Sequence, residues 1–193
     1  MEKFDVAVIG GGSAGLAALQ QLSSLGKQGV LIEGGKNIGN KNVSGGILYS
    51  KNPKNGKVYN VEDVYGEQFI HEAPVERLIT KYVLHATSRD KVYSIDLTEA
   101  HKYRAKFGYS VLMNSINSWF AQIANESAEK QGGGIVSGVH VKNILWQDGK
   151  TIIETDELKE FEVSAIIAAD GVNSEIADMT GARQKFSPEE LYQ

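Results

Sequence analysis

Cysteine is absent from the 193-residue chain. It therefore holds no disulfide, thiol nucleophile, thiolate zinc site or iron–sulfur cluster of its own. Proline is scarce at three residues. No apolar run approaches the length of a membrane span, and the first one, residues 6–9, is too short for the core of a signal peptide. Surplus positive charge is missing as well. Twenty Lys and Arg stand against twenty-four Asp and Glu, a formal charge of -4, so nothing is available to neutralise a phosphate backbone and nucleic acid is not an expected partner. These absences predict a cytoplasmic protein with no transmembrane segment. What is in excess is glycine, 21 residues, above the usual share of about 7%. Glycine without proline points to close backbone approaches rather than a flexible linker. With 41% hydrophobic and 23% charged residues, the chain can build the core of one domain or two small ones.

Residues 4–9 are apolar and β-branched and stop at Gly10-Gly11-Gly12, the pattern of a buried parallel strand. Leu16, Leu19, Leu22 and Leu25 then recur at helical spacing, with Gly26 as C-terminal cap. Residues 28–33 make a second short strand, so the first 33 residues predict a βαβ unit. Residues 34–49 read as loop and residues 51–57 as a polar surface excursion. Residues 79–86 and 92–97 flank Ser88-Arg89-Asp90 as a hairpin. In residues 114–130, Ile116, Trp119, Phe120, Ile123, Ala124 and Ala128 share one face of an amphipathic helix. Residues 139–146 and 151–155 bracket Asp148-Gly149, a second hairpin signal. Residues 165–169 form a last buried strand ending at Asp170-Gly171.

Gly10-Gly11-Gly12-Ser13-Ala14-Gly15 fits G-x-G-x-x-G in its proper context, between strand and helix. Gly10 permits the tight turn, Gly12 lets a pyrophosphate approach the backbone, and Gly15 lets helix and strand pack closely. The helix from Ser13 and Ala14 onward turns its N–H groups and partial positive charge toward the diphosphate. Glu33 ends the second strand, where a carboxylate accepts bonds from a ribose hydroxyl and disfavours a 2′-phosphate. The pattern predicts an adenine dinucleotide site without choosing between FAD and NAD.

Other chemistry-bearing residues have plainer readings. His71, His85, His101 and His140 show no metal-ligand spacing and are assigned structural or surface roles. Trp119, Phe120 and Trp146 are expected to pack. Lys51, Lys54 and Lys57 belong to a solvated loop. Tyr103, Arg104 and Lys106 beside Phe107 are open to substrate contact, though nothing in their spacing demands it.

Two further segments favour FAD. Ala169-Asp170-Gly171-Val172-Asn173-Ser174 resembles the "A-D-G-x-x-S" strand-end motif of FAD-dependent hydroxylases and reductases. Lys41-Asn42-Val43-Ser44-Gly45-Gly46-Ile47-Leu48-Tyr49 resembles a segment of the FixC-type dehydrogenases, relatives of electron-transfer-flavoprotein:quinone oxidoreductases, and Ala73-Pro74-Val75-Glu76-Arg77 is similar to another. The resemblance is collinear over residues 4–181. It implies FAD, with Asp170 beside the ribityl and pyrophosphate region, the isoalloxazine near Ser44-Gly45-Gly46, and Val141 meeting the adenine through its backbone. It implies further that the cofactor carries the redox chemistry, so no catalytic acid–base pair, nucleophile or metal site is assigned to the protein. Electrons would come from an electron-transfer flavoprotein and pass toward quinone through a ferredoxin-like protein, at a membrane face reached through partners.

The chain departs from the family pattern at three points. Members of the family are roughly twice as long on the scale of domain sizes, which predicts a second polypeptide completing the flavoenzyme, or self-association. Met113 stands where a cofactor-contacting Arg is usual, and Asn117 where an acid is. Gly34-Gly35 follow Glu33 where a basic residue and then Gly are commoner, which weakens the adenosine contact. The expected fold class is α/β. It comprises a discontinuous, glutathione-reductase-like FAD-binding domain (residues 1–49 and 114–193) and a β-rich insertion (50–113) that begins a substrate domain. Two alternatives to the oxidoreductase remain, a non-catalytic dinucleotide-binding or assembly module and a geranylgeranyl-reductase-like fragment, the latter set back by the absence of cysteine.

Overall fold

Strand β1 (Glu2–Ile9) is the centre of the first half of the fold. The computed structural model describes residues 1–49, 61, 65, 68–100, 108–157 and 159–183. Lys51, Lys54, Lys57, His101, Tyr103, Arg104, Lys106 and Phe107 lie outside the described residues. The chain divides into two compact units, Met1–Lys41 with Phe120–Gln193, and Asn42–Trp119.

In the first unit, β1 is followed by helix α1 (Ser13–Ser24) and strand β2 (Gly29–Glu33), the βαβ start expected from the sequence. Four strands from the second half of this unit complete the sheet: β8 (Gly134–Ser137), β9 (Val141–Gln147), β10 (Lys150–Thr155) and β11 (Glu160–Ala168). The order is β8-β2-β1-β11-β10-β9. The first four strands are parallel, and β10 and β9 continue antiparallel. β8 carries only four residues after a glycine run, too few for periodicity to reveal.

The sheet buries apolar side chains on both faces of its parallel centre. Ala7, Ile9, Val30 and Ile32 join Ile144, Ile153, Phe161, Val163 and Ile176 in one cluster. On the other face α1 packs against the sheet through Leu16 and Leu19, both fully buried with Val8 and Leu31. Each such side chain contributes about 1.5–3 kcal/mol. Leu25, expected on that buried stripe, is 64% exposed, because α1 ends there. Gly26 takes φ +68°, its N–H donates to the Ser23 carbonyl, and that of Lys27 donates to the Leu22 carbonyl. This Schellman closure turns the chain outward. Asp148 and Gly149, with φ of 51° and 73°, form the expected two-residue hairpin turn, the pair of left-handed residues that a type I′ turn needs.

Trp146 does not pack but is 60% exposed, since the face that buries Ile144 runs out of core two residues later, at the hairpin end. The last strand starts at Glu160, earlier than expected, and is not buried throughout. Phe161 and Val163 are inside while Ala165, Ile167 and Ala168 are exposed. Residues 45–49 are not loop but strand.

The second unit contains that strand, β3 (Gly45–Tyr49), paired antiparallel with β7 (Gly108–Leu112), which also pairs with β4 (Val75–Leu78). Ile47, Leu48 and Tyr49 suit a pleated surface better than a loop. Helix α2 (Phe69–Glu72) precedes β4, and β5 (Val83–Thr87) with β6 (Val92–Asp96) makes the expected hairpin. Its first strand begins four residues late, because Ile79 donates instead to the Gly108 carbonyl beside β7. Phe69 is the aromatic centre, with Tyr65, Tyr109 and Trp119 rings 5.4–5.9 Å away. Helix α3 (Met113–Glu129) starts in this unit and ends in the first. Ile116, Phe120, Ala124 and Ala128 are fully buried along the expected face, and so is Asn117. Among the described residues, no helix is long and apolar enough to cross a membrane.

Candidate functional site

Two parallel neighbours, β1 and β11, end side by side, and the ends carry the two motifs singled out in the sequence. Ile9 pairs with Ala168, and the Ala169 N–H donates to the Ile9 carbonyl at 2.8 Å. Gly10, with φ +108°, turns directly over this junction, and a Cβ there would collide with the Ala169 carbonyl oxygen. A Cβ on Gly15 would collide with the Gly10 carbonyl oxygen and touch Val8, so the third glycine sets the approach of α1 to β1. Gly12 differs from both. It is the N-cap of α1 in extended conformation, makes no side-chain cap bond, and a Cβ on it would meet nothing within 4 Å. The first turn, which includes Ser13 and Ala14, holds no acidic residue. The two packed glycines thus leave a clear face over Gly12 at the positive end of the helix, the place and polarity a diphosphate requires.

Glu33 lies at the end of β2, and its carboxylate binds the loop itself. Oε2 accepts from the Gly11 N–H at 2.7 Å, and Oε1 accepts from the Gly35 N–H at 2.6 Å and from Lys41 Nζ at 3.4 Å. With its side chain 13% exposed, desolvation acts to raise the carboxyl's pKa. The two backbone N–H groups and the Lys41 ammonium outweigh it and hold the group below its usual range. A carboxylate has about four lone-pair sites, so capacity remains for ribose hydroxyls. Glu33 and Lys41 are expected at the site from the sequence, whereas the role of Gly11 and Gly35 as the donors that orient the acid emerges only in the structure. The run of consecutive glycines at both places was the available signal.

Gly34 packs against the imidazole of His140, a neighbour that local sequence pattern does not reveal, since 106 positions of chain separate them (140 − 34). Val141 begins β9 opposite Thr155 and packs its half-buried side chain on the core. Asp170 follows the tip of β11, and its carboxylate is engaged. Oδ2 accepts from the Ile176 N–H at 2.8 Å, and Oδ1 accepts from the Ser174 hydroxyl at 3.2 Å. It therefore caps helix α4 (Glu175–Met179) across a turn in which Gly171 and Ser174 are left-handed, with φ of 83° and 40°. Gly10, Gly12, Ser13, Ala14, Gly15, Glu33, Gly34, Lys41, Val141, Ala169, Asp170 and Gly171 all belong to the first unit.

Asn42, Val43, Ser44, Gly45 and Gly46 belong to the second. Val43 is 93% exposed. The Ser44 carbonyl accepts from the Met113 N–H at 3.1 Å, and the Met113 sulfur lies beside Gly46, 3.6 Å from where a Cβ would stand. Asn117 donates through Nδ2 to Asn42 Oδ1 at 2.9 Å. The two positions that depart from the family pattern, 113 and 117, thus hold the segment that carries the resemblance. Asn117 acts there as a buried structural amide.

No protein-family model matches the chain. It is 31% identical to protein FixC of Escherichia coli K12 over 189 residues, 97% of this chain and 41% of that protein. It is 29% identical to the probable electron transfer flavoprotein-quinone oxidoreductase YdiS of the same organism, over 93% of this chain and 39% of the relative. FixC of Azotobacter vinelandii matches at 30% over 93% and 39%. The chain therefore spans about two fifths of the length of the curated relatives it matches. Among solved structures, a geranylgeranyl bacteriochlorophyll reductase-like protein of Thermoplasma acidophilum superposes with a TM-score of 0.65 at 22% identity, over 94% of this chain and 42% of that one. The flavin-dependent monooxygenase PieE, solved with FAD and substrate, does so with a TM-score of 0.65 at 16% identity, over 93% and 32%. Likeness at these identities shows the shared α/β fold. Over the stretch that it spans, the chain resembles FixC and the probable electron transfer flavoprotein-quinone oxidoreductase YdiS in sequence.

Proposed function

We propose that this chain is the FAD-binding portion of an oxidoreductase that takes electrons from an electron-transfer flavoprotein and passes them toward quinone. The observation that carries the reading is the clear face over Gly12 at the start of α1, in a loop whose Gly10 and Gly15 have backbone where a Cβ would stand. The ADP half would lie along Gly10, Gly12, Ser13, Ala14 and Gly15, with Glu33 taking the ribose. Ala169, Asp170 and Gly171 form the adjoining strand end, where Asp170 holds the turn in place. Asn42, Val43, Ser44, Gly45 and Gly46 are read as the isoalloxazine-facing segment on the family resemblance alone. The bound flavin would supply the electron-transfer chemistry, and the protein the binding and orientation. In this reading the fold is of glutathione-reductase type, with residues 1–49 and 114–193 forming the dinucleotide domain and 50–113 opening a substrate domain. A second polypeptide, the donor flavoprotein and a ferredoxin-like protein at a membrane face are the partners.

Titration of the purified chain with FAD, followed by flavin fluorescence and by the visible spectrum, tests the reading. Saturable binding that Gly12→Ala abolishes is expected, and a wild-type chain that binds neither FAD nor ADP would sink it. A second reading, a dinucleotide-binding module without catalysis, is favoured by one observation. Met113, and not a guanidinium, lies against Gly46. Equal affinity for ADP and FAD would support that module, because the flavin half would then add no binding.

A further inference from the structure

We infer that His140 is an adenine-binding residue, an aromatic wall that supplies from a distant strand the side chain that position 34 lacks. The inference rests on the nucleotide site proposed above. If Glu33 accepts the ribose, the adenine is attached one bond away and extends past the carboxyl end of β2. Residue 34 directly follows the acid at that strand end, and Gly34 has no side chain to offer.

The structure fills that place from elsewhere. The Val139 N–H donates to the Glu33 carbonyl at 3.1 Å, and the Gly138 N–H donates to the Gly35 carbonyl at 2.9 Å, so residues 138–139 run laced to residues 33–35. The next residue lays its ring on Gly34. A Cβ at Gly34 would overlap Cε1 and Nδ1 and come within 2.8 Å of Nε2. Contact with three atoms of one ring means the imidazole lies across the glycine, not end-on to it. Gly34 does not need to be glycine for its backbone, since its φ is outside the left-handed region. The imidazole is what requires it.

His140 is also held by its main chain. Its N–H donates to Asp156 Oδ1 at 2.9 Å, and its carbonyl accepts from the Asp156 N–H at 3.0 Å. The residue is nevertheless exposed. A flat ring, fixed by its backbone, resting on glycine beside the ribose-binding acid and open to solvent, presents a stacking surface for a purine. Its target is the adenosine moiety, whatever the other end of the dinucleotide carries.

The test uses the whole chain and two probes, ADP and inorganic pyrophosphate, each titrated calorimetrically. His140→Ala is expected to weaken ADP about tenfold and to leave pyrophosphate unchanged. Gly34→Ala, whose methyl takes the place of the exposed ring, should do the same without lowering the melting temperature. The double variant should be no worse than either single one, because both remove one interaction. His140→Phe should retain most of the ADP affinity, and the His140 ring resonance should shift with ADP but not with pyrophosphate. Wild-type affinity in His140→Ala and Gly34→Ala, or tighter ADP binding in either, overturns the inference and leaves the nucleotide site standing. Failure of the wild-type chain to bind ADP and pyrophosphate overturns both.

Discussion

Two glycines of one motif should respond to the same substitution in opposite ways. Gly15→Ala places a methyl onto the Gly10 carbonyl oxygen, a contact with backbone that no rotamer change relieves. Separating α1 from β1 is expected to cost about 2–3 kcal/mol. Gly12→Ala has free space for its methyl within 4 Å and a φ of -75° that alanine adopts readily. Alanine is a slightly poorer N-cap than glycine, so its effect on stability should stay within about 0.5 kcal/mol. That methyl nevertheless occupies the face on which a diphosphate would rest. Losing two charge-assisted backbone bonds to phosphate, about 3 kcal/mol together, lowers affinity more than a hundredfold. Urea denaturation reads the first effect, and FAD or ADP titration the second. A Gly12→Ala chain that binds nucleotide like wild type, or one that loses stability as Gly15→Ala does, would refute this account of the loop.

The remaining expectations concern the bonds that hold the site. Glu33 has a depressed pKa in the folded chain, so its contribution to stability is complete above the usual carboxylate value of about 4.3 and is lost as pH falls through the folded pKa. Glu33→Gln should cost about 2 kcal/mol at pH 7. The gap between wild type and variant should narrow on acidification, and a gap that stays constant from pH 7 to about pH 3 would count against the assignment. Asp170→Ala removes the acceptor of the Ile176 N–H and the Ser174 hydroxyl, an expected loss of about 1–2 kcal/mol. Hydrogen exchange should show faster exchange at Ile176, and unchanged protection there would rule out the cap. Asn117→Ala leaves the Asn42 carbonyl oxygen without its donor and should destabilise by about 1–2 kcal/mol, seen as a lower urea midpoint with displaced Asn42 amide resonances.

Much of the fold could be read along the chain because its causes are local. The apolar run before Gly10, the leucine spacing of α1, the Gly26 cap and the Asp148-Gly149 turn each depend on dihedrals and periodicity within a few residues. The elements that eluded the sequence depend on partners far away. β3 is glycine-led and polar before it, and only its pairing with β7 makes it a strand. β8 is four residues long and exists beside β2. Trp146 looks like a core residue until the extent of the core under β9 is known.

The site divides in the same way. The sequence by itself determined a strand–glycine loop–helix with an acid at the next strand's end, since that motif is one contiguous βαβ unit whose chemistry follows from backbone geometry. Tertiary structure alone decided what each group touches. Parallel pairing of β11 with β1 brought Ala169 onto Gly10, the cap on Ile176 engaged Asp170, and the crossing of residues 138–140 over 33–35 laid His140 on Gly34. Strand order and register are chosen by the total burial of the sheet, a property of the whole chain, and no segment's own pattern contains it.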